Sequence, residues 1–137
     1  MVHALKQVHR ILRPDGQLVD VHNLPVPHRI EVYSHGNATR AGWLLDRTDF
    51  ENERFALNAI TQVVSEGLFL LEDEQDFDFD IHTDNVPELQ KWLADGWESA
   101  VIPERTIQRV ESLLTGAVQS TRIVLRVQTR MITLRVA

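Results

Sequence analysis

A carboxylate and an imidazole stand two residues apart, at Asp20 and His22. The apolar residues around them predict a short strand, in which side chains at i and i+2 share one face about 7 Å apart. Because the carboxyl ends of strands host ligands in open α/β sheets, His22 is a candidate base or substrate contact, with Asp20 beside it. The alternative is a polar edge of a half-exposed strand, since no nucleophile is visible beside the pair and no serine lies in a Gly-x-Ser-x-Gly elbow.

Trp43 is the tryptophan best placed to line a pocket or an interface. It follows a predicted hairpin and stands beside two leucines, so its large apolar surface is available to a ligand or a partner. Trp92 shares a helical stripe with neighbouring leucines and is predicted to lie in the core. The substrate-binding candidates are therefore Asp20, His22 and Trp43, and the sequence predicts no cofactor-binding residue.

Charge is distributed unevenly along the chain. Residues 72–84 contain seven acids and no lysine or arginine, whereas residues 105–137 contain six arginines and one acid. Alternating carboxylates suit a divalent cation, but the run lacks the glycine and the distal glutamate of a calcium-binding loop. The favoured interpretation is a solvated strand face that pairs in part with the C-terminal arginines. Six histidines are scattered without a His-x-x-x-His pattern, so no metal site is predicted.

The composition excludes several classes of protein. The 137 residues are 43% apolar and 25% charged, which is typical of one globular domain spanning residues 1–137. The net charge of −6 disfavours nucleic acid as a partner. The chain has no cysteine and no apolar run long enough to cross a membrane, and its first residues do not resemble a secretion signal. These features predict a cytoplasmic protein without a membrane or nucleic-acid partner.

Apolar residues at helical spacing predict four helices, and short or alternating apolar runs predict the strands between them. The first helix presents one apolar stripe, consisting of Ala4, Leu5, Val8, Ile11 and Leu12. The helices are predicted over residues 3–12 and 49–66, from about 85 to 96, and from Pro103 to about 114. The strands are predicted from 18 to near 22–23, and at 30–34, 39–45, 68–71, 77–81, about 121–127 and 131–136. Since most neighbouring strands are antiparallel, the fold class is α+β, with a mostly antiparallel or mixed sheet.

Local signals place several boundaries. Thr48 stands three residues before Glu51, which is the spacing of a capping box for the second helix. Residues 35–37 and 128–130 suit hairpin turns. Residues 76–82 alternate phenylalanine or isoleucine with acids or histidine, which is typical of a sheet with one face in water.

One segment resembles a family motif. It comes after Leu5 and runs Arg10-Ile11-Leu12-Arg13-Pro14-Asp15-Gly16-Gln17-Leu18-Val19. This is similar to Arg-Val-Leu-Lys-Pro-Gly-Gly-x-Leu-Val of class I S-adenosylmethionine-dependent methyltransferases, where it forms the fourth helix, a tight turn and the fifth strand of a seven-stranded sheet. The predicted helix 49–66, the strand after it and a final antiparallel strand fit the remaining elements of that family's C-terminal half. Asp15 stands where the family usually has glycine, and aspartate tolerates such turns.

The resemblance implies the C-terminal half of that fold without its cofactor half. In the family, a Gly-x-Gly loop after the first strand and an acid after the second bind the cofactor, because glycines let the backbone approach it and the acid accepts hydrogen bonds from the ribose. The six glycines of this chain include no such spacing. The resemblance therefore implies no cofactor for the isolated chain, and S-adenosylmethionine only where the missing half is supplied.

A missing neighbour leaves an open strand edge. In the family the fifth strand lies between the fourth and the seventh, and the fourth has no counterpart here. Residues 17–22 are therefore expected to expose unpaired backbone groups, with Val19 and Val21 poorly covered. Since exposed edges recruit another chain, we predict a homodimer through the helix and edge strand of residues 3–23, or a complex with a cofactor-binding partner chain.

Three functions are compatible with these observations. The leading one is a methyltransferase-like domain that is not catalytic alone and acts as a dimeric or partner-bound scaffold. The second is a subunit or truncated form of a methyltransferase whose cofactor half lies elsewhere. The third is a small-molecule binding module with a pocket between the hairpin 30–45 and the helix 49–66.

Overall fold

The computed structural model describes residues 1–116 and 120–137. The helices and strands of this part of the chain are, in order, α1 (Val2–Ile11), β1 (Gln17–Asn23), β2 (His28–Ser34), β3 (Asn37–Asp46), α2 (Glu51–Ser65), β4 (Phe69–Thr83), α3 (Val86–Gly96), β5 (Ala100–Val101), α4 (Glu104–Leu114) and β6 (Arg122–Val136). The fold is α+β with four described helices and a mostly antiparallel sheet of six described strands, which confirms the predicted class.

The first of two compact units consists of Met1–Pro25, Phe50–Phe77 and Gln128–Ala137. Within it β1 pairs antiparallel with the C-terminal part of β6, and α1 contacts α2. The helix α2 buries Ala59, Ile60 and Val63, at spacings of one and three, and β6 buries Ile132 and Leu134, two residues apart. Both elements therefore present one apolar face to a common core. The buried members of this core are Leu5, Ala59, Ile60, Val63, Phe69, Ile132 and Leu134.

The second unit consists of Val26–Asp49 and Asp78–Val127. Strands β2 and β3 form a hairpin, and its turn residues His35 and Gly36 have φ angles of 52° and 79°. Positive φ at both positions is what a two-residue hairpin turn requires. Strand β2 also pairs with β6, and β3 with β5. The buried core is formed by Ile30, Val32, Leu44, Val86, Leu89, Leu93, Val110, Ile123, Leu125 and Val127.

The prediction of two C-terminal strands joined by a turn at 128–130 is wrong, because β6 is one continuous strand. The buried apolar residues that it supplies to the two cores are odd-numbered in the second unit and even-numbered in the first. They are Ile123, Leu125 and Val127, and Ile132 and Leu134. This change interrupts the alternation of apolar and polar residues, and such an interruption in a sequence is easily interpreted as a turn between two strands. The pieces predicted at 68–71 and 77–81 are likewise one strand, β4.

The predicted capping box of α2 is also wrong. The helix begins at Glu51 with Phe50 as its N-cap, and no side chain caps that position. Thr48 and Glu51 therefore do not occupy the N-cap and N3 positions that a capping box requires. The backbone N–H and the hydroxyl of Thr48 donate to the carboxylate of Asp46, at 2.7 and 2.5 Å.

Several apolar side chains expected in the core are exposed. Trp92 is 40% exposed, and the first helix leaves Ala4 exposed and Ile11 75% exposed. The alternation over residues 76–82 does not bury Phe77 or Phe79, which are 42% and 56% exposed. Among the described strands β4 pairs only with β6. The alternation of apolar and polar residues along β4 therefore does not correspond to one buried and one exposed face.

The acidic run of β4 meets arginines of β6, as expected. In the first unit Arg135 donates to Glu72 at 2.6 Å, and in the second unit Arg126 donates to Asp80 at 2.7 Å. Residue numbers rise along β6 as they fall along β4, which is the order of an antiparallel pair. These side chains are between a quarter and two-fifths exposed, so each pair contributes little to stability and acts mainly on register.

Candidate functional site

Strand β1 brings Asp20 and His22 into direct contact. The Nδ1–H group of His22 donates a hydrogen bond to Oδ2 of Asp20. Both side chains are largely buried, with 17% of Asp20 and 11% of His22 exposed. A carboxylate bound to one ring nitrogen fixes the orientation of the imidazole and leaves its second nitrogen for a ligand or a proton.

The second nitrogen of His22, Nε2, is buried and has no hydrogen-bond partner among the described residues. Such an atom is costly to bury without a partner. His22 lines a cleft of about 330 Å³ at the end of β1 and the first turns of α2. The other lining residues are Val21, Asn23, Asn52, Glu53 and Ala56.

The chemistry of this cleft is limited to hydrogen bonding and proton transfer. Its lining includes an imidazole, amide side chains and a carboxylate, but no hydroxyl or amine that would act as a nucleophile. The geometry therefore brings the two predicted residues Asp20 and His22 together, without a reacting group beside them.

The charges near His22 are compensated. Arg130 lies opposite His22 in the β1–β6 register and forms ion pairs with Asp76 at 2.7 Å and with Glu74 at 3.3 Å. The hydrogen bond from Arg130 lowers the pKa of Asp76 and raises the pKa of the arginine itself. The carboxylate of Asp76 is therefore ionised and held by a guanidinium group.

Trp43 lies in the second unit and lines a larger cleft, of about 610 Å³. We call it the Trp43 cleft. It is formed by Pro27, by β3 and by the start of α4, all within the second unit. The lining residues are Pro27, Arg40, Ala41, Gly42, Trp43, Leu45, Pro103, Arg105 and Thr106.

A β-bulge gives β3 its shape at the Trp43 cleft. Ile30 pairs with Gly42 and the next residue of β2, Glu31, pairs with Arg40, so Ala41 is an extra residue in β3. A bulge changes the direction of the side chains on either side of it. Arg40 and Trp43, three residues apart, both line the cleft, and the guanidinium carbon of Arg40 lies 5.3 Å from the centre of the Trp43 ring. The sequence singled out Trp43 but not Arg40 or Arg105.

Gly42→Ala is expected to destabilise the protein by about 1–3 kcal/mol, because a Cβ at this position overlaps α4. The added atom would lie 2.2 Å from Oγ1 and 2.9 Å from Cβ of Thr106, which is buried. Urea unfolding measures the loss. Gly96→Ala, at the end of α3, meets no atom within 4 Å and is the matched control. A Gly42→Ala protein as stable as this control would show that α4 does not pack closely on β3.

Asp46, at the end of β3, is held by several donors. Its carboxylate accepts hydrogen bonds from Nε1 of Trp97 at 3.0 Å and from Oγ of Ser99 at 2.7 Å, in addition to those from Thr48. Burial acts to raise the pKa of Asp46, but the hydrogen bonds outweigh it and hold the pKa far below its usual range. The group is fully bonded within the protein and serves to hold the end of β3.

Comparisons with protein-family models, with curated proteins and with solved structures find no match to this chain. No helix within the described ranges is long and apolar enough to span a membrane. Residues 1–116 and 120–137 contain no group of three or more histidine, aspartate or glutamate side chains arranged to hold a metal ion.

Proposed function

We propose that the chain is a methyltransferase-like half-domain that does not methylate by itself and acts as a scaffold by binding a second copy of itself. The observation that carries this proposal is the position of β1, the segment that resembles the family's fifth strand. It pairs with the final strand, β6, and with no other described strand. Because the family's fifth strand has a neighbour on each side, one edge of β1 is available to a partner.

The turn that leads into β1 supports the resemblance. Asp15 has a φ angle of 62°, the left-handed conformation, at the position where the family usually has glycine. A Cβ at the next residue, Gly16, would lie 2.8 Å from the carbonyl oxygen of Arg13, so this tight turn requires glycine there. The helix, turn and strand come one after another in the order that the resemblance implies.

The backbone groups of β1 divide between its two edges. Val136 N–H donates to Gly16 C=O at 2.8 Å, and Leu24 N–H donates to Gln128 C=O at 2.9 Å. Because bonded pairs alternate along antiparallel strands, the even-numbered residues between them bond to β6. The odd-numbered residues direct their N–H and C=O groups to the other edge. They are Gln17, Val19, Val21 and Asn23.

The segment 3–23 also exposes apolar side chains. Val19 and Val21 are 54% and 56% exposed, and Ile11 is the most exposed large apolar residue of this segment. An open edge carrying valines is a template for another strand, and association would remove this apolar surface from water. Both properties favour a protein partner at this edge.

Charge and apolar pairing favour one of two neighbouring antiparallel registers for a second copy of the chain at the open edge. With Val21 opposite the partner's Val21, Asp20 lies opposite the partner's His22, and Leu18 lies opposite the partner's Leu24. The neighbouring register, centred on Asp20, sets two carboxylates directly opposite each other. Cross-strand pairs of opposite charge or of apolar residues stabilise a sheet and like charges destabilise it, so the first register is favoured.

The proposal assigns no cofactor to the isolated chain. S-adenosylmethionine would be bound only with a polypeptide that supplies the Gly-x-Gly loop and the ribose-binding acid. The net charge of −6 favours a protein over a nucleic-acid partner, and the absence of cysteine fits a cytoplasmic location.

Val21→Pro tests the dimer. Proline removes an N–H that points away from β6 and leaves the β1–β6 hydrogen bonds in place, which edge strands tolerate. We expect the unchanged chain to sediment as a dimer at micromolar concentration, and the variant to dissociate at least about 100-fold more readily. Val21→Thr keeps the shape and the N–H, so this matched control should remain dimeric.

Two results would contradict the proposal. One is an unchanged chain that sediments as a monomer, and the other is micromolar binding of S-adenosylmethionine to the isolated chain in calorimetry. A monomer that binds a separately expressed cofactor-binding chain, and loses this binding on Val21→Pro, would support the second function, a split methyltransferase.

A further inference from the structure

Two arginines line the Trp43 cleft without an ion-pair partner in the described part of the chain. They are Arg40 and Arg105. Arg29 and Arg126 of the same unit, by contrast, each bind an aspartate of β4, at 2.8 and 2.7 Å. The cleft therefore carries two positive charges in a chain whose net charge is −6. They make this cleft a place where an anion is attracted.

We propose that the Trp43 cleft binds a small aromatic carboxylate. This site lies within the second unit, so the proposal does not depend on a partner at β1. None of the residues that line the cleft is acidic. Its volume of about 610 Å³ is that of a pocket for a small molecule.

The walls of the cleft favour a flat apolar ring over a phosphate or a sugar. Trp43 and Leu45 are each about two-fifths exposed, and with Pro27 and Pro103 they form a largely apolar lining. Proline and tryptophan side chains lose little conformational freedom when a ligand is bound. A planar ring that packs on them removes apolar surface of both partners from water.

The contact of Arg40 with Trp43 leaves the guanidinium group able to bind a carboxylate. The guanidinium carbon lies over the Trp43 ring, 5.3 Å from the ring centre. The ring does not take the place of an acid, so the guanidinium group keeps N–H donors for a two-point contact with a carboxylate. Arg105, in the first turn of α4, adds a second positive charge to the same cleft.

The close approach of Gly42 to Thr106 fixes the cleft before a ligand arrives. These two residues join β3 to α4 at a distance that admits no Cβ on the strand. The side chains on either side, Arg40 and Trp43 on β3 and Arg105 on α4, are therefore held by elements that pack directly together. A preformed site loses less entropy on binding.

The test compares 2-naphthoate with 2-naphthamide, which has the same rings without the charge. Binding is monitored by the indole N–H resonance of Trp43, identified with Trp43→Phe. We expect naphthoate to bind at least about tenfold more tightly than the amide. We expect Arg40→Gln and Arg105→Gln each to weaken naphthoate about tenfold and to leave the amide unchanged. Arg109→Gln, on α4 but outside the cleft lining, is the matched control and should have no effect.

Two outcomes would overturn the proposal. If naphthoate and naphthamide bind equally and neither arginine variant changes this, the cleft is an apolar surface without anion selectivity. If saturating naphthoate does not shift the Trp43 resonance, the cleft is not the binding site. Because both arginines are exposed, the variants should fold, and the remaining amide resonances report this directly.

Discussion

Acidification from about pH 7.5 to 4.5 is expected to lower the free energy of unfolding by roughly 2–3 kcal/mol, because of one buried histidine. His28 begins β2, is inaccessible to solvent and packs edge-on against Trp97, with ring centres 5.4 Å apart. Burial lowers the pKa of His28 from 6.5 to about 4, against the opposing effect of the Asp78 charge.

Acid destabilises the folded protein because the unfolded chain binds a proton at His28 more readily than the folded protein does. In the unfolded chain His28 takes up a proton as the pH falls below 6.5, whereas in the folded protein it stays neutral until about pH 4. The unfolded state therefore binds more protons between these values. The contribution of the neutral histidine to stability is complete above pH 6.5 and is lost as the pH falls toward 4.

Urea unfolding at several pH values between about 7.5 and 4.5 measures this loss. His28→Gln removes the titrating group, so the stability of this variant should be nearly constant over the same range. Asp46 does not interfere, because its pKa is depressed: its contribution to stability is complete above about pH 4 and is lost only as the pH falls further. A stability of the unchanged chain that does not vary with pH above 4.5 would contradict the prediction.

The features of the fold that the sequence predicted are those that neighbouring residues determine. The turn at His35 and Gly36 needs two residues that tolerate positive φ, and both are adjacent in the chain. The start of α3 is set by Asn85, whose side chain accepts a hydrogen bond from the N–H of Glu88 at 2.9 Å. Such interactions span a few residues, so they can be recognised before the tertiary structure is known.

The features that the sequence did not predict depend on residues far apart in the chain. Strand β6 supplies buried residues to two different cores, so its alternation changes parity at residues that no local turn occupies. Trp92 lies on an apolar stripe of α3 and is 40% exposed, whereas Leu89 and Leu93 of the same stripe are buried. Helical spacing identifies a face, whereas the packing partners decide how much of that face is covered.

The two candidate sites differ in the same way: one depends on neighbouring residues, and the other depends on residues far apart in the chain. Asp20 and His22 share one strand at i and i+2, so their contact is a consequence of strand geometry alone. The Trp43 cleft combines β3 with α4, about sixty residues later in the chain, and a bulge at Ala41 lets Arg40 and Trp43 line one surface. A register irregularity and a distant helix leave no local pattern, so Arg40 and Arg105 could not be identified from the sequence.

Phe69→Ala is expected to destabilise the first unit by about 3–5 kcal/mol. Phe69 begins β4 and is fully buried in the core, where it packs with Val63 and Leu134. Its ring also meets His9 edge-on, with centres 5.3 Å apart. Truncation to alanine removes the buried ring and leaves a cavity that its neighbours fill only in part, so the loss includes both transfer and packing energy.

Phe77→Ala is the matched control, because both phenylalanines lie on β4 in the same unit. Phe77 is 42% exposed, so its truncation is expected to cost less than about 1 kcal/mol. The two residues have the same side chain and the same strand, and they differ in burial. Urea unfolding of both variants, with the protein kept at one concentration, therefore measures the contribution of the first unit's core. Equal losses for the two variants would contradict the prediction, because they would mean that the ring of Phe77 is covered to the same extent as that of Phe69.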